Sequence, residues 1–445
     1  MGREIKMEFN QMLAVMSLFG LLLAFCSGFP ISFTMMFIGI LFGYLGIGKM
    51  VFYLLNLQFY QVMSDPILGA IPFFLLMGYL LESAGLMEGL FLSIQKLMAP
   101  IPGSLYVAVI LTATIFAAAT GIVGSSITLL CVMAEPALRK SGYNIQMGAG
   151  AIAAGGTLGI LIPPSIMLVV MGPLMGVPVT DLFAGAVIPG ILMSGLYIAY
   201  ALIRCFFKPE LGPPLPKEFR AESFPALMLE ILKGVVPLVV LIGVTLGSIL
   251  LGLATPTEAS ACGALGALVL VIAYGKFEFG AFKNAMYSTV KLTAMILIMI
   301  AASNFFGSVF SRLGGASWLS DVLVSMDLPP MMMVAMIMVI VFLLGWAMEW
   351  VPIVLIVLPI LMPTVKALGI DPLWFAIIYA MTLQTSWLSP PVALSCYFIK
   401  GCIPHWSLSD IYRGMIQFIF VQAIAIILIM MFPFLVTWLP SVVNG

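Results

Sequence analysis

The stretch GGTLGILIPPSIM, residues 155–167, and its counterpart TLQTSWLSPPVAL, residues 382–394, decide the fold of this chain. Each places a Pro-Pro pair inside a long apolar run, and the two pairs lie 227 residues apart. Pro136 and Pro363 repeat the same offset. Proline removes a backbone donor and interrupts a helix, and interrupted backbone at membrane depth persists only where protein or a water-filled cavity surrounds it. The sequence therefore predicts two matching halves, each with a broken membrane helix.

The composition places the chain in a lipid bilayer. Of its 445 residues, 63% are hydrophobic and 8% are charged. A soluble domain cannot bury so much apolar surface, which indicates an all-α protein that crosses the membrane several times. The formal net charge is zero, which argues against nucleic acid as a partner. The six cysteines have no CxxC spacing that would indicate a zinc site or a disulfide framework.

Each half also contains one apolar run that is awkward as a single crossing, at residues 104–135 and 329–365. Small and polar residues occupy the middle of the first run, at 120–126, and Glu349 and Pro352 occupy the middle of the second. Such a run is too long for one span and too short for two spans with a solvated loop between them. A re-entrant hairpin with a buried tip fits this length, and one long kinked helix is the alternative.

The remaining apolar runs complete two halves joined by a polar linker. We expect the first half at residues 1–203, with its broken helix at 146–178. The second half is expected at 234–445, with its broken helix at 372–399, and the proline-containing linker at 204–233. The other predicted spans are 11–26, 30–47, 67–85, 183–203, 234–252, 258–275, 289–310 and 412–438. With each hairpin counted as no net crossing, each half crosses five times, so the second half is inverted relative to the first.

The basic residues predict an orientation. Thirteen lie on one predicted side and five on the other, so the positive-inside rule places the linker and the mouth of the first hairpin in the cytoplasm. Both termini and the mouth of the second hairpin are then expected outside. The larger group is Lys96, Arg139, Lys140, Arg204, Lys208, Lys217, Arg220, Lys233, Lys276, Lys283, Lys291, Lys400 and Arg413, and the smaller is Arg3, Lys6, Lys49, Arg312 and Lys366. The basic residues of the N-terminal head would by themselves favour a cytoplasmic N-terminus. We follow the larger group of basic residues and expect this terminus outside.

Two amphipathic stretches, residues 49–65 and 277–291, mix aromatic with polar side chains. This mixture is typical of helices that lie in the membrane interface, and an ordinary amphipathic loop is the alternative. Glu349 is the deepest carboxylate. It is either a cation ligand or proton carrier, or a group that only holds the hairpin tip through hydrogen bonds to backbone or to Trp350. No catalytic pair, such as Ser with His or Lys, is visible at a span centre, so the sequence does not predict an enzyme.

Interrupted helices bind ions without charged side chains, because free carbonyls attract cations and free N–H groups attract anions. The passages AAATGIVGSSIT (117–128), AGAIAAGGTLGILIPPSIMLVVMG (149–172), MEWVPIVLIVLPILMP (348–363) and TLQTSWLSPPVA (382–393) resemble the large membrane subunit of tripartite ATP-independent periplasmic (TRAP) transporters. The resemblance covers essentially the whole chain. It implies an elevator-type secondary importer in a bacterial inner membrane, with Na⁺ as the coupling ion and a carboxylate-bearing organic solute as substrate.

The resemblance also implies partners and site residues. The partners are a small four-helix membrane subunit and a periplasmic binding protein, expected as separate chains because only ten residues precede the first span. The implied Na⁺ ligands are Thr120, Gly121, Gly124, Ser125, Gly156, Gly159, Met348, Glu349, Thr385, Ser386 and Ser389. The implied solute-binding residues are Ser125, Ser126, Thr157, Pro164, Ser165, Glu349, Trp350, Pro352, Ser389 and Pro391. Ser125 corresponds to Pro352 and Thr157 to Gln384, so the two halves offer different side chains at these positions. A one-component Na⁺/dicarboxylate-type symporter is the alternative function.

Overall fold

The computed structural model describes residues 2–25, 28–120, 123–215, 224–391 and 393–444, and all regular elements within these ranges are helices. In the first half they are α1 (Gly2–Phe25), α2 (Ile31–Ile47), α3 (Met50–Met63), α4 (Ala70–Ser83), α5 (Leu86–Met98), α6 (Ser104–Thr120), α7 (Val123–Lys140), α8 (Ile145–Thr157), α9 (Ile166–Met175) and α10 (Val179–Phe207). Then follow α11 (Phe224–Gly234), α12 (Val236–Leu250), α13 (Pro256–Ala273), α14 (Phe279–Arg312), α15 (Gly315–Val324), α16 (Pro330–Ala347), α17 (Trp350–Ala367), α18 (Pro372–Ser386), α19 (Leu394–Cys402), α20 (Leu408–Met431) and α21 (Phe434–Asn444).

The prediction of an all-α protein with several membrane spans is confirmed. Within the described ranges, six helices are long and apolar enough to cross a bilayer, or seven if the bent pair α3 and α4 counts as one span. The six are Val179–Phe207, Leu227–Leu250, Pro256–Ala273, Phe279–Arg312, Trp350–Ala367 and Leu408–Met431. Several further apolar helices, including the two pieces of the first broken helix, are shorter. The predicted five crossings per half and the inversion stay predictions.

The helix boundaries repeat between the halves. Helices α7 and α17 begin at residues 123 and 350 and end at 140 and 367, so both ends keep the 227-residue offset. Gly85 and Gly314 stand immediately before α5 and α15 with φ of 64° and 84°. This left-handed conformation costs glycine little and other residues more. The same backbone turn therefore recurs at the corresponding place in each half.

The chain folds back on itself between α6 and α7. Consecutive glycines of α8 contact both helices, because a Cβ added at Gly155 would lie 2.9 Å from Ala113 Cβ and one added at Gly156 would lie 3.2 Å from Ile127 N. In one continuous helix Ala113 and Ile127 would be about 21 Å apart. The first run of 104–135 is thus a hairpin that extends to Lys140, with α8 packed against both arms.

The second run folds back in the same way between α16 and α17. Ile337 of α16 and Ile360 of α17 line one cavity of about 220 Å³ together with residues of α1 and α15. In a continuous helix these two residues would be separated by about 35 Å. A single long kinked helix is therefore excluded for both runs. We call α6 with α7 the first hairpin, and α16 with α17 the second hairpin.

The second amphipathic stretch, residues 277–291, is not the separate element that the sequence indicated. It continues into the predicted span 289–310 as the single 34-residue helix α14. In the first half, α3 and the helical segment from Ile67 to Ser83 bend by 56° at residues 64–66. There Asp65 accepts a hydrogen bond from Ile67 N at 2.8 Å, and Pro66 lacks the N–H that helix continuation requires. Ala294 and Met295 occupy the corresponding positions in α14 and leave the helix intact.

Helices enter the predicted linker from both ends, and α11 from Leu227 onwards belongs to the candidate span Leu227–Leu250. Helix α10 runs to Phe207 and α11 begins at Phe224, so both enter the predicted linker of 204–233, of which residues 216–223 lie outside the described ranges. Glu230 of α11 forms an ion pair of 2.5 Å with Lys96 of α5. Both side chains are partly exposed, so the pair contributes at most about 1 kcal/mol. The pair connects α11 to α5 and contributes little to stability.

Candidate functional site

The first broken helix is interrupted between Thr157 and Ile166. A short 3-10 turn follows α8, and α9 begins only after the Pro163-Pro164 pair. The two prolines have no N–H to donate to the carbonyls of the preceding turn. Ser165 Oγ donates to Ile160 O at 2.5 Å instead. Thr157, Ser165 and Pro164, three of the implied solute residues, and the implied Na⁺ ligands Gly156 and Gly159 are buried here.

The second broken helix is interrupted between Ser386 and Leu394, around the Pro390-Pro391 pair. The hydroxyls at its end point back to their own helix: Thr385 Oγ1 donates to Met381 O at 2.9 Å and Ser386 Oγ to Leu383 O at 2.7 Å. A hydroxyl that donates its proton keeps its lone pairs, so it remains able to coordinate a cation. These side chains are consistent with Na⁺ ligands of neutral charge.

The second hairpin is joined to this break by a direct hydrogen bond. Trp346 Nε1 donates to Ser389 Oγ at 2.5 Å, and Ser389 Oγ in turn lies 3.2 Å from Ser386 O. Met348 and Glu349 connect the two arms of the hairpin, and Glu349 precedes α17 without a capping hydrogen bond from its side chain. Trp350 and Pro352 lie buried in the first turn of α17. The positive end of the α17 dipole therefore faces the tip.

The tip of the first hairpin is described in part. Gly121 lies outside the described residues, as does the side chain of Thr120. Gly124 packs on an aromatic ring, since a Cβ added there would lie 2.9 Å from Phe398 Cζ. Ser125 Oγ is buried, with no hydrogen bond of acceptable distance and angle among the described residues. Ser126 is buried beside it.

Both hairpin tips and the ends of both breaks surround one cavity of about 190 Å³, which we call the central cavity. Its lining comes from both halves: Val123, Gly124, Ile166, Leu292, Met295, Ile296, Glu349, Trp350, Val351, Trp387 and Phe398. Trp387 and Phe398 stack with their ring planes 2° apart. Glu349 is the one ionisable side chain in this lining. Of the implied site residues, Gly124, Glu349 and Trp350 line the cavity, whereas the others stand in the surrounding tips and breaks.

The two broken helices meet behind this cavity. Gln384 Nε2 lies 3.4 Å from Thr157 Oγ1 and 3.4 Å from Tyr197 Oη. All three side chains are fully buried. Thr157 and Gln384 are equivalent positions at the 227-residue offset, and equivalent residues contact each other where a two-fold axis relating the halves passes between them. The contact is compatible with the predicted relation of the two halves, which stays a prediction.

Sequence reasoning missed Glu82, which lies near the end of the predicted span 67–85. The Glu82 carboxylate lies beside the Ser125 hydroxyl at the first tip. The contact lacks good hydrogen-bond geometry, because neither Glu82 Oε2 nor Ser125 Oγ has a partner that satisfies distance and angle. No local signal in the sequence marks this contact, because it depends on how α4 packs near the first tip.

Comparisons with known proteins agree with this architecture. The family model described as "Tripartite ATP-independent periplasmic transporter, DctM component" matches residues 15–435. The sialic acid TRAP transporter large permease protein SiaM of Vibrio cholerae is 28% identical over 96% of this chain and 99% of its own length. The C4-dicarboxylate TRAP transporter large permease protein DctM of Pseudomonas aeruginosa is 29% identical over 87% of this chain and 88% of its own length.

Two further comparisons concern a longer relative and a solved structure. The isethionate TRAP transporter permease protein DctMQ of Oleidesulfovibrio alaskensis is 27% identical over 78% of this chain, which corresponds to 54% of that protein. The YdaH transporter of Alcanivorax borkumensis superposes with a TM-score of 0.64 at 17% identity, over 87% of this chain and 88% of that one. At this identity the likeness shows a shared fold.

Proposed function

Since the chain belongs to the DctM family of TRAP transporter large permease subunits, we propose that it imports a carboxylate-bearing organic solute in symport with Na⁺. The protein is a transporter subunit and not an enzyme, as the sequence predicted. The solute is delivered by a periplasmic binding protein, and a small four-helix subunit completes the membrane complex. Relatives named for sialic acid, C4-dicarboxylates and isethionate all transport acids, which supports an organic anion as the substrate class.

One observation carries the proposal: two hairpin tips and two helix breaks converge on the central cavity. The first cation site is formed by the tip at 120–126 with the break at 156–165, and the second by the tip at 348–352 with the break at 385–391. Carbonyls at helix ends and hydroxyls of serine and threonine coordinate Na⁺ without net charge. The solute carboxylate lies between the sites, facing the N-terminal ends of α7 and α17.

Coupling follows from the charge of Glu349. A solute carboxylate in the central cavity meets a protein carboxylate of the same sign, and two unit charges 5 Å apart repel by about 3 kcal/mol at an effective dielectric constant of 20. Na⁺ bound at the tips cancels this repulsion, so the solute binds well only after the cation. When only the cation or only the solute is bound, the hairpins stay open, and the hairpins and broken helices do not move across the membrane.

The transporter works in the bacterial inner membrane with both termini in the periplasm. The hairpins and broken helices move as one body against a scaffold that contains α4 and α14. The orientation can be tested with single cysteines at Lys208, in the linker, and Lys366, after the second hairpin. Impermeant thiol reagents added to intact spheroplasts should label the Lys366→Cys variant and leave the Lys208→Cys variant unlabelled, and the reverse pattern would contradict the orientation.

Uptake into proteoliposomes tests the function. The assembled complex, with its periplasmic binding protein, is supplied with labelled succinate, N-acetylneuraminate or isethionate under an inward Na⁺ gradient. We expect uptake of one such acid that requires both the gradient and the binding protein. Uptake without the binding protein would favour the one-component symporter, and uptake driven by a proton gradient without Na⁺ would contradict the proposed coupling.

Replacing Glu349 with glutamine separates its proposed role from a structural one. Without the negative charge, the Glu349→Gln variant should bind solute at low Na⁺ at least tenfold more tightly than wild type, because the repulsion is gone. Its uptake should depend less steeply on Na⁺ concentration. Glu278→Gln, at the exposed residue before α14, is the matched control and should behave as wild type. A Glu349→Gln protein with an unchanged Na⁺ dependence would show that this carboxylate is not part of the coupling.

A further inference from the structure

A second and larger cavity, of about 400 Å³, lies between α3, α9, α14 and α17. Its polar lining consists of Gln58, Ser303, Asn304, Ser308, Ser311 and Arg312. We call it the Arg312 cleft. Its volume falls within the range of cavities that enclose small organic ligands. Because the lining combines one guanidinium with hydroxyl and amide groups, the cleft offers several hydrogen-bond donors around one positive charge.

Among the residues that the structure describes, no carboxylate forms an ion pair with Arg312. None of the described residues that line the Arg312 cleft carries a carboxylate. The side chain is exposed to the cleft. A guanidinium presents a planar fork of N–H donors that matches a carboxylate in two-point contact. Ser308 and Ser311 stand within one helical turn of Arg312, where their hydroxyls add donors or acceptors for the rest of a solute.

The Arg312 cleft and the central cavity lie along the same helix. Residues Leu292–Ile296 of α14 line the central cavity, and residues from Ser303 to Arg312 line the cleft. From Met295 to Ser308 the helix rises about 20 Å, so these are two distinct places. The cleft is at the end of α14 that the charge distribution places outside, on the side from which a periplasmic binding protein releases its solute.

We infer that the Arg312 cleft is a first binding site for the carboxylate of the solute, which occupies it before passing to the central cavity. The inference rests on the proposed function, since it assigns a second binding site to the same substrate. Arg312 captures the anion without help from Na⁺, whereas the central cavity, with its Glu349 carboxylate, requires the cation. Another role of Arg312, contact with a lipid phosphate through a snorkelling side chain, is an outcome of the test.

Thiol chemistry measures the charge of the cleft without knowledge of the solute. In a Ser311→Cys variant of the whole complex, the modification rate is compared between an anionic reagent, sulfonatoethyl methanethiosulfonate, and the cationic trimethylammonioethyl analogue. Adding Arg312→Gln should lower the anionic-to-cationic rate ratio about tenfold, because one nearby unit charge acts oppositely on the two reagents. Lys366→Gln, on the same predicted side but outside the cleft, should leave the ratio within twofold.

Transport kinetics then test the role in uptake. Arg312→Gln should raise the KM for the delivered acid about tenfold or more, the loss expected for one charged hydrogen-bonding partner, with kcat within twofold of wild type. Arg312→Lys should recover part of the affinity, since it keeps the charge and loses the planar fork. Lys366→Gln should have the wild-type KM. Millimolar solute should also slow the modification of Ser311→Cys.

The two possible failures are distinguishable. If wild-type complex takes up no carboxylate under a Na⁺ gradient, the proposed function is wrong, whatever the reagent ratio. If wild type transports and Arg312→Gln keeps the wild-type KM, the first binding site is wrong while the function stands. A reagent ratio that falls as anionic lipid is added, with no protection by solute, would identify a lipid phosphate as the partner of Arg312 and would also overturn the inference.

Discussion

Replacing Gly345 with alanine should push the second hairpin away from the break that it covers. A Cβ added at Gly345 of α16 would lie closer than 3.0 Å to both Oγ and Cβ of Ser386, a separation that real Cβ atoms essentially never show. Ser386 is the last residue of α18 and is buried. Its short side chain cannot swing aside into solvent. The conflict is therefore relieved by a movement of α16 of at least several tenths of an ångström, since ordinary contact begins at 3.4 Å.

The size of the effect follows from the cost of overpacking. An extra methyl group in a tightly packed contact costs about 1–3 kcal/mol, which exceeds the gain of at most about 1 kcal/mol from replacing glycine by alanine within a helix. If the hairpin opens to relieve the strain, the cation that closes it must supply the same free energy. A coupling of about 1–3 kcal/mol corresponds to a rise of about 5- to 150-fold in the half-saturating Na⁺ concentration.

The assay is uptake into proteoliposomes over a series of Na⁺ concentrations, together with the melting temperature of the purified complex. Gly195→Ala is the matched control, because Gly195 lies within α10 and an added Cβ there meets nothing within 4 Å. It should keep the wild-type Na⁺ requirement. A Gly345→Ala protein that keeps both values would refute the close approach of α16 to α18. A lower melting temperature with an unchanged Na⁺ requirement would show that the second hairpin does not close over the cation.

Three further substitutions separate packing from coupling. Gly414→Ala should lower stability by about 1–3 kcal/mol in thermal unfolding, since its Cβ would lie 3.1 Å from the backbone nitrogen of Gly150, which cannot rotate away. Thr255→Ala removes the capping box of α13 and should cost about 1 kcal/mol with an unaltered Na⁺ requirement. Trp346→Phe loses the bond to Ser389 Oγ, worth about 0.5–1.5 kcal/mol, and should raise the half-saturating Na⁺ concentration about 2- to 10-fold. An unchanged value for the last would place that bond outside the cation site.

The sequence predicted the class of fold and the interrupted segments because both depend on local chemistry. An apolar fraction of 63% admits only a membrane protein, and a Pro-Pro pair interrupts a helix wherever it occurs. Accordingly, α8 stops at Thr157 and α18 at Ser386, within or beside the predicted breaks. The sequence also contained the information that α14 is one continuous helix. Asp65 and Pro66 have no counterpart in the second half, so the bend between α3 and α4 had no reason to recur there.

Contacts between segments that are far apart in the chain could not be predicted from the sequence. Glu82 lies near the end of an apolar run, and only the packing of α4 near the first tip brings its carboxylate beside Ser125. The same holds for Leu292 and Met295, which line the central cavity from α14. The segment of α14 from Leu292 to Ala302 is apolar almost all round, so periodicity does not tell which face of it lines a site and which face meets lipid.

Arg312 and Glu349 have opposite charges and line two different cavities beside α14, and this difference gives the proposed transport cycle a direction. A carboxylate that arrives from the periplasm meets Arg312, whose charge favours its capture at any Na⁺ concentration, and the anion then reaches a cavity in which Glu349 opposes it. The first step concentrates solute released by the binding protein, and the second admits solute only with its cation. If both groups had the same charge, one of these functions would be lost. A basic residue at 349 would bind solute without Na⁺ and uncouple transport, whereas an acid at 312 would repel the solute before the cation sites were reached.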